Sequence, residues 1–126
     1  MKIKEYYGLP FVAIVIEFRG QKLSLDNVLI DTGSASTLLN ADIVRDIGMI
    51  PEKDDIVDMI RGVGGVEYVY TKIVDSIAIG EAVTRDFQVE IGNMDYGLEM
   101  QGIIGFNLLK RVGAKIDADA MEIMVY

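Results

Sequence analysis

Residues 28–34 of the chain read VLIDTGS, an apolar run that ends on a carboxylate and continues into a hydroxyl, a glycine and a second hydroxyl. An apolar run bounded by turn residues is typical of a buried strand. A polar turn would account for Asp31 and the three residues after it, because Asp, Thr, Gly and Ser all suit turns. A carboxylate at the end of a buried strand is also a candidate catalytic group. Asp31 can therefore be interpreted as part of a polar turn or as a catalytic residue.

A second segment, GIIGFNLL at residues 102–109, lies much later in the chain. Taken alone, it is as consistent with a core strand that makes a close backbone contact as with a functional motif. Asn107 in this segment is an equally good candidate for the N-cap of a short helix. The segment at residues 102–109 is of interest because it occurs together with Asp31-Thr32-Gly33 in one small domain.

Composition limits the chemistry that this chain can perform. Its 126 residues include no histidine and no cysteine, which excludes Ser-His-Asp triads, Cys-His dyads, disulfides and thiolate zinc sites. Hydrolysis would have to use carboxylates, hydroxyls or lysine. The net charge of −8 argues against a nucleic acid partner. The acidic pairs lack the spacing of a calcium loop, so we expect no metal and no cofactor.

Hydrophobic residues make up 51% of the chain and the mean hydropathy is +0.30, both high for a small soluble protein. Burial of apolar surface between subunits would explain the excess. No run approaches the roughly 18 apolar residues of a membrane span, and the first residues lack the apolar core of a signal peptide. We therefore expect one domain over residues 1–126, in the cytoplasm and without a membrane partner.

Short apolar runs separated by glycine or polar turns predict a mainly β domain. Strands are expected over residues 11–18, 22–30, 37–39, 56–61, 66–70, 73–79 and 87–91, followed by a terminal hairpin of residues 114–117 and 121–126. Short helices are expected over residues 41–47, capped by Asn40, and over residues 107–112. Without βαβ alternation, this pattern favours a closed or orthogonal β-barrel-like domain over a doubly wound sheet.

Together the two motifs resemble those of the retropepsins, the single-domain aspartic proteases of retroviral type, and more loosely one lobe of a pepsin. The resemblance covers about residues 11–117 and implies the acid-protease fold. It makes Asp31 the catalytic aspartate of the D-T-G loop. It also implies that Ile103-Ile104-Gly105 packs against that loop and leads into a short helix, with Asn107 at the position of the family's asparagine.

Peptide hydrolysis by carboxylates needs two of them, one to take a proton from water and one to hold a proton for the carbonyl oxygen. This chain has one D-T-G, so only two-fold symmetry between copies can supply the pair, and a homodimer is required. The resemblance implies that Thr32 hydrogen-bonds across the axis, and Gly33 would let the backbone approach partner and substrate. We expect Ser34 to donate to the outer oxygen of Asp31, which favours an acidic pH optimum.

The glycine-rich tip Arg61-Gly62-Val63-Gly64-Gly65-Val66 lies between two strand-like segments. In the family that the chain resembles, such a hairpin is a flap that closes over the substrate and excludes water. An ordinary surface hairpin is the simpler alternative. A phosphate-binding loop is excluded, because no G-K-[S/T] follows.

The leading prediction is therefore an aspartic endopeptidase that acts as a homodimer on a peptide or protein substrate. The chain departs from the retroviral pattern at Ala35 and Phe106, where those enzymes often pair an acid with an arginine. Since fold does not guarantee activity, the alternative is a catalytically weak or inactive module that binds peptides or mediates dimerisation. A further alternative is a plain β-rich assembly module with Asp31 in a turn.

Overall fold

The computed structural model describes residues 1–62 and 65–125. Its strands are β1 (Lys4–Tyr6), β2 (Leu9–Phe18), β3 (Gln21–Ile30), β4 (Leu38–Asn40), β5 (Val57–Gly62), β6 (Gly65–Ile79), β7 (Ala82–Gly92), β8 (Gly102–Ile104), β9 (Lys115–Asp117) and β10 (Glu122–Met124). Its helices are α1 (Ala41–Val44), continued by a 3-10 turn over Arg45–Ile47, and α2 (Phe106–Arg111). The prediction of a mainly β chain with short helices is confirmed.

Among the described residues, eight strands form one sheet in the order β1-β2-β3-β8-β4-β7-β6-β5. An additional antiparallel pairing of β2 with β6 places Ile16 opposite Ile77. It closes a ring in the order β2-β3-β8-β4-β7-β6. Within this ring β8 runs parallel to β3 and antiparallel to β4. Ile30 therefore lies beside Ile104, and the two sequence motifs begin next to each other.

The core follows from the alternation of apolar residues along the strands. In β2 the side chains of Val12, Ile14, Ile16 and Phe18 are buried, while Val15 is exposed. This period of two directs one face of the strand into the interior of the ring. The main core also includes Leu25, Val28, Ile30, Val44, Val74, Ile77, Ile79, Val89, Ile91, Ile104 and Leu108. A smaller second cluster contains Phe11, Leu38, Val69, Met94 and Met100.

Most element boundaries agree with the sequence-based expectations to within a few residues. Asn40 caps α1 as predicted, since its Oδ1 accepts a hydrogen bond of 2.9 Å from the Asp42 N–H. Gly48 follows with a φ of 83°, the left-handed conformation that glycine tolerates best. The terminal hairpin is present as β9 and β10, which pair in antiparallel register.

Two strand boundaries were predicted wrongly. The strand expected over residues 87–91 begins earlier, as β7 (Ala82–Gly92), and residues 66–70 and 73–79 are not separate strands. They belong to the single long strand β6, which remains paired with β7 through Thr71 and Lys72. The polar residues at these two positions resembled a break in the apolar pattern. The side chain of Lys72 is nevertheless buried, because acidic partners from another part of the chain neutralise it. The polar strand β1 was also not predicted.

Lys72 lies at the centre of a charged cluster that fastens the segment before β5 to the sheet. Its Nζ lies 2.5 Å from Glu52 Oε1 and 2.8 Å from Asp55 Oδ2, while Arg19 contacts Glu52 at 2.8 Å. Burial opposes the charge on Lys72, but hydrogen bonds to Asp55 and Glu52 outweigh it and raise the pKa of Lys72. Hydrogen bonds from Arg19 and then Lys72 lower the pKa of Glu52 to about 2.

We predict that Glu52→Gln destabilises the protein in a pH-dependent manner. The pKa of Glu52 is lower in the folded chain than its ordinary value of 4.5. The stabilisation from its charge is therefore fully present above about pH 4.5 and is lost as the pH falls through about 2. The Tm of the variant should be lower than that of the wild type near neutral pH, and the difference should narrow across this acid range.

Glu81→Gln, which alters an exposed carboxylate in the turn between β6 and β7, is the matched control and should leave Tm unchanged. A Tm difference for Glu52→Gln that stays constant down to about pH 2 would contradict the assignment.

Candidate active site

The loop that carries Asp31 is a tight turn fixed by backbone hydrogen bonds. The Asp31 N–H donates to the Ile104 carbonyl at 2.9 Å, which extends the β3–β8 pairing by one residue. The Gly33 N–H donates to Asp31 Oδ1 at 2.9 Å, and the Ser34 N–H donates to the Asp31 carbonyl at 3.2 Å. Asp31 is half-buried, whereas Thr32 and Gly33 are exposed. The turn therefore holds a carboxylate in a defined orientation at the surface of the chain.

Gly105 is the point at which the second motif contacts this loop. A Cβ on Gly105 would lie 2.0 Å from the carbonyl oxygen of Ser36 and 2.9 Å from that of Ser34. The next residue, Phe106, donates its N–H to the Ser34 carbonyl at 2.7 Å. Only glycine permits this approach, so the structure brings Ile103-Ile104-Gly105 and the D-T-G loop together as the sequence predicts.

Thr37 joins the two motifs through its hydroxyl. The side chain is fully buried, and its Oγ1 accepts a hydrogen bond from the Gly105 N–H at 3.2 Å. The same hydroxyl donates to Asn107 Oδ1 at 2.9 Å. Sequence analysis did not identify Thr37 as a site residue. Its signal was a hydroxyl at the start of the apolar run Thr37-Leu38-Leu39, where a polar group must find a partner once it is buried.

Asn107 does not cap α2. The N-cap is Gly105, and Asn107 is the second residue of the helix. Its Oδ1 accepts from Thr37 Oγ1 and from the Leu108 N–H, the latter at 2.9 Å. The alternative interpretation of Asn107 as an N-cap is therefore wrong. Its side chain instead connects the start of the helix to the buried hydroxyl of Thr37.

Ser34 differs from the expectation in its hydrogen bond. Its Oγ donates to the Ser36 carbonyl at 2.8 Å and not to Asp31. The loop curls over Gly105, which brings the Ser36 carbonyl within reach of the hydroxyl. The Ser34 hydroxyl, whose expected hydrogen bond to Asp31 favoured an acidic pH optimum, thus donates to the backbone instead. Ala35 and Phe106 are exposed, and Phe106 as a residue is 54% exposed.

The strands on either side of the glycine-rich tip form a hairpin, as predicted. The backbones of β5 and β6 pair up to Arg61 with Val66 and Gly62 with Gly65. The remaining two residues of the predicted flap, Val63 and Gly64, lie outside the described residues.

Apolar residues of this hairpin pack in the same cluster as residues near Asp31. Ile60 and Val69 belong to the second cluster, together with Leu29 and Ile103. Leu29 lies two residues before Asp31, and residues two apart along a strand share a face. It pairs with Ile103 on the neighbouring strand. The hairpin, the Asp31 loop and the second motif therefore border one apolar surface.

A family model described as aspartyl protease matches residues 14–108, which include Asp31 and Ile103-Ile104-Gly105. The chain belongs to the aspartyl protease family. The aspartyl protease fold is also found in a similar solved structure, a retropepsin-like aspartic protease from Rickettsia conorii. That match has a TM-score of 0.70 and 18% sequence identity, and it covers 98% of this chain and 95% of the other. No curated protein sequence matched the chain.

These findings confirm the retropepsin-like fold and identify the chain as an aspartic-type protease. In the part of the chain that the structure describes, no group of three or more carboxylates has the arrangement of a metal site. No helix among the same residues has the length and apolarity to cross a membrane.

We predict that Thr37→Val destabilises the protease by about 1–3 kcal/mol, because it leaves the buried Gly105 N–H without its acceptor. Urea unfolding would measure this as a lower midpoint with an unchanged slope. Thr37→Ser keeps the hydroxyl and is the matched control, for which we expect a smaller loss. If the two variants were equally stable, the hydroxyl would not be the group that joins the motifs.

Proposed function

We propose that the protein is an aspartic endopeptidase that works as a homodimer, with Asp31 of each copy supplying one of two catalytic carboxylates. The observation that carries this proposal is that a chain with one D-T-G sequence holds its aspartate at the surface, on a turn with an exposed tip. An aspartic protease needs two carboxylates, and symmetry provides the second. We assign the whole chain, residues 1–126, to one protease domain.

In the proposed reaction, the ionised carboxylate of the pair removes a proton from a water molecule, whose oxygen attacks the peptide carbonyl carbon. The protonated carboxylate donates its proton to the carbonyl oxygen, which gives a tetrahedral diol. Collapse of the diol breaks the C–N bond as the nitrogen takes up a proton, and the acid and amine products leave. No covalent intermediate with the enzyme forms.

The exposed tip of the turn is suited to the remaining roles in a dimer. Thr32 and Gly33 are the residues that would approach the partner copy, and Gly33 has no side chain to obstruct it. Phe106 supports an interface close by, because its exposed ring is held beside the loop by the 2.7 Å hydrogen bond from its N–H to Ser34. Exposed aromatic rings are frequent anchors in protein interfaces. Ser34, Ile103-Ile104-Gly105 and Asn107 would support the loop from within.

We propose that the substrate is an extended peptide, bound between the Asp31 loop and a flap formed by residues Arg61-Gly62-Val63-Gly64-Gly65-Val66. Leu29, Ile60 and Ile103 are partly buried and pack against the second cluster. In this proposal they would border the bound peptide, which favours apolar substrate side chains. A net charge of −8 opposes nucleic acid as a partner. We place the activity in the cytoplasm, with which a cysteine-free chain is consistent.

We predict that Asp31→Asn abolishes cleavage of a peptide library while leaving the dimer intact. The amide can neither accept the proton of water nor donate an acidic proton, so kcat should fall by about a hundredfold or more. Mass spectrometry of the digest would measure cleavage, and sedimentation would measure assembly.

Glu81→Gln, which alters an exposed carboxylate of the β6–β7 turn, should cleave at the wild-type rate. Cleavage that survives Asp31→Asn would refute the proposal. A folded wild-type dimer that binds the peptides but never cuts them would favour the alternative of a peptide-binding module.

A further inference from the structure

Glu67 forms two hydrogen bonds that the proposed reaction does not use. It lies on β6, close to the tip of the β5–β6 hairpin, and is half-buried. One carboxylate oxygen accepts from the Met94 N–H at 2.8 Å, and the other accepts from the Tyr96 hydroxyl at 2.5 Å. Met94 and Tyr96 belong to the segment that connects β7 to β8. A single side chain thus joins the hairpin to a different part of the chain.

This connection begins where the backbone pairing ends. The β6–β7 ladder runs as far as Tyr70 opposite Ile91. Continuing the same register would place Glu67 opposite Met94, and there the carboxylate accepts the Met94 N–H in place of a backbone carbonyl. The side chain therefore extends the attachment of β6 beyond the last backbone pair.

Gly92 leaves the space that this arrangement needs. A Cβ on Gly92 would lie 2.7 Å from Glu67 Oε1 and 3.0 Å from Val69 Cγ1. The carboxylate is thus packed directly over the backbone of β7 at the last residue of the strand. This contact fixes the position of the Glu67 side chain, in addition to the hydrogen bonds with Met94 and Tyr96.

The Tyr96 hydroxyl is well suited to donate a hydrogen bond to Glu67. Burial, together with the hydrogen bond to Glu67, raises the pKa of Tyr96 above its ordinary value. The phenol therefore stays protonated and is available as a hydrogen-bond donor to Glu67. A hydrogen bond with an ionised acceptor is also stronger than one between neutral groups.

Near the tip of the hairpin, Glu67 also lies beside apolar residues of the second cluster. It pairs with Ile60 across the hairpin, and Ile60 packs against the cluster that contains Val69 and Met94. An apolar contact and a pair of hydrogen bonds thus hold the hairpin against the segment after β7. Removing the hydrogen bonds leaves the apolar contact between Ile60 and the second cluster as the attachment of the hairpin to this segment.

We propose that Glu67 is a positioning residue, whose hydrogen bonds to Met94 and Tyr96 hold the β5–β6 hairpin in the orientation needed to cover a bound peptide. The inference rests on the proposed function in one respect, namely that this hairpin covers the substrate. When a fraction of molecules has the hairpin misplaced, the apparent affinity for substrate falls by that fraction, while turnover at saturation is retained.

Three variants test this role. Glu67→Ala removes both hydrogen bonds, and Tyr96→Phe removes one of them. Glu67→Gln can keep both, because the amide oxygen can accept from Met94 and the amide nitrogen can donate to the Tyr96 oxygen. We expect KM to rise several-fold in Glu67→Ala with kcat within about twofold of the wild type, and Glu67→Gln to restore most of the loss. Glu81→Gln serves as the control with unchanged kinetics.

Amide hydrogen exchange, followed by NMR on this 13.9 kDa chain, tests the attachment without any activity measurement. In Glu67→Ala the Met94 amide should exchange about tenfold faster or more, since it loses a hydrogen bond to a charged acceptor. Amides of β5 and of β6 near Glu67 should also exchange faster, while those of β2 and β3 should not. Tyr96→Phe should give a smaller increase and is the milder variant if Glu67→Ala folds poorly.

The positioning role is overturned if Met94 exchange is unchanged in both Glu67→Ala and Tyr96→Phe. It is also overturned if kcat falls in parallel with Tm while KM stays constant, which is the signature of a purely structural effect. A wild-type protein that cleaves no peptide would refute the proposed function instead, and the exchange of Met94 would then still decide whether Glu67 holds the hairpin.

Discussion

The hydrogen bonds between the end of β3 and the end of β8 hold the candidate active site together. The Asp31 N–H bonds to the Ile104 carbonyl, and one residue later the Gly105 N–H bonds to the buried hydroxyl of Thr37. Because Gly105 has no side chain, the Ser34–Ser36 loop can lie against it. The aspartate is therefore positioned by backbone contacts and one hydroxyl, which leaves its carboxylate oriented at the surface of the chain.

This arrangement explains how the loop is held without the charge pair that retroviral enzymes often carry beside it. Ala35 and Phe106 replace those charges, and the Phe106 backbone still bonds to Ser34. The loop is thus held by hydrogen bonds that do not depend on the identity of these side chains. The buried charge of Lys72 lies elsewhere, where its ion pairs with Glu52 and Asp55 fasten the segment before the hairpin.

The sequence predicted the features that depend on short local patterns. The Asp31 turn, the Asn40 cap and the alternation in β2 each follow from a few neighbouring residues. The sequence did not predict features that depend on distant partners. Lys72 continues β6 because Glu52 and Asp55 neutralise it, and Thr37 is a site residue because Gly105 and Asn107 come to it. Glu67 likewise gains its role from Met94 and Tyr96, which nothing in its own segment indicates.

We propose that two copies of the chain build one catalytic centre. Mixing wild-type and variant subunits tests this proposal most directly. Wild-type protein is combined with increasing proportions of Asp31→Asn at a constant total protein concentration. Peptidase activity is measured after the subunits have exchanged. If each centre needs Asp31 from both copies, activity follows the square of the wild-type fraction, so an equal mixture retains about a quarter of the wild-type activity. Activity that falls in direct proportion to the wild-type fraction would contradict a shared centre, because each copy would then work alone.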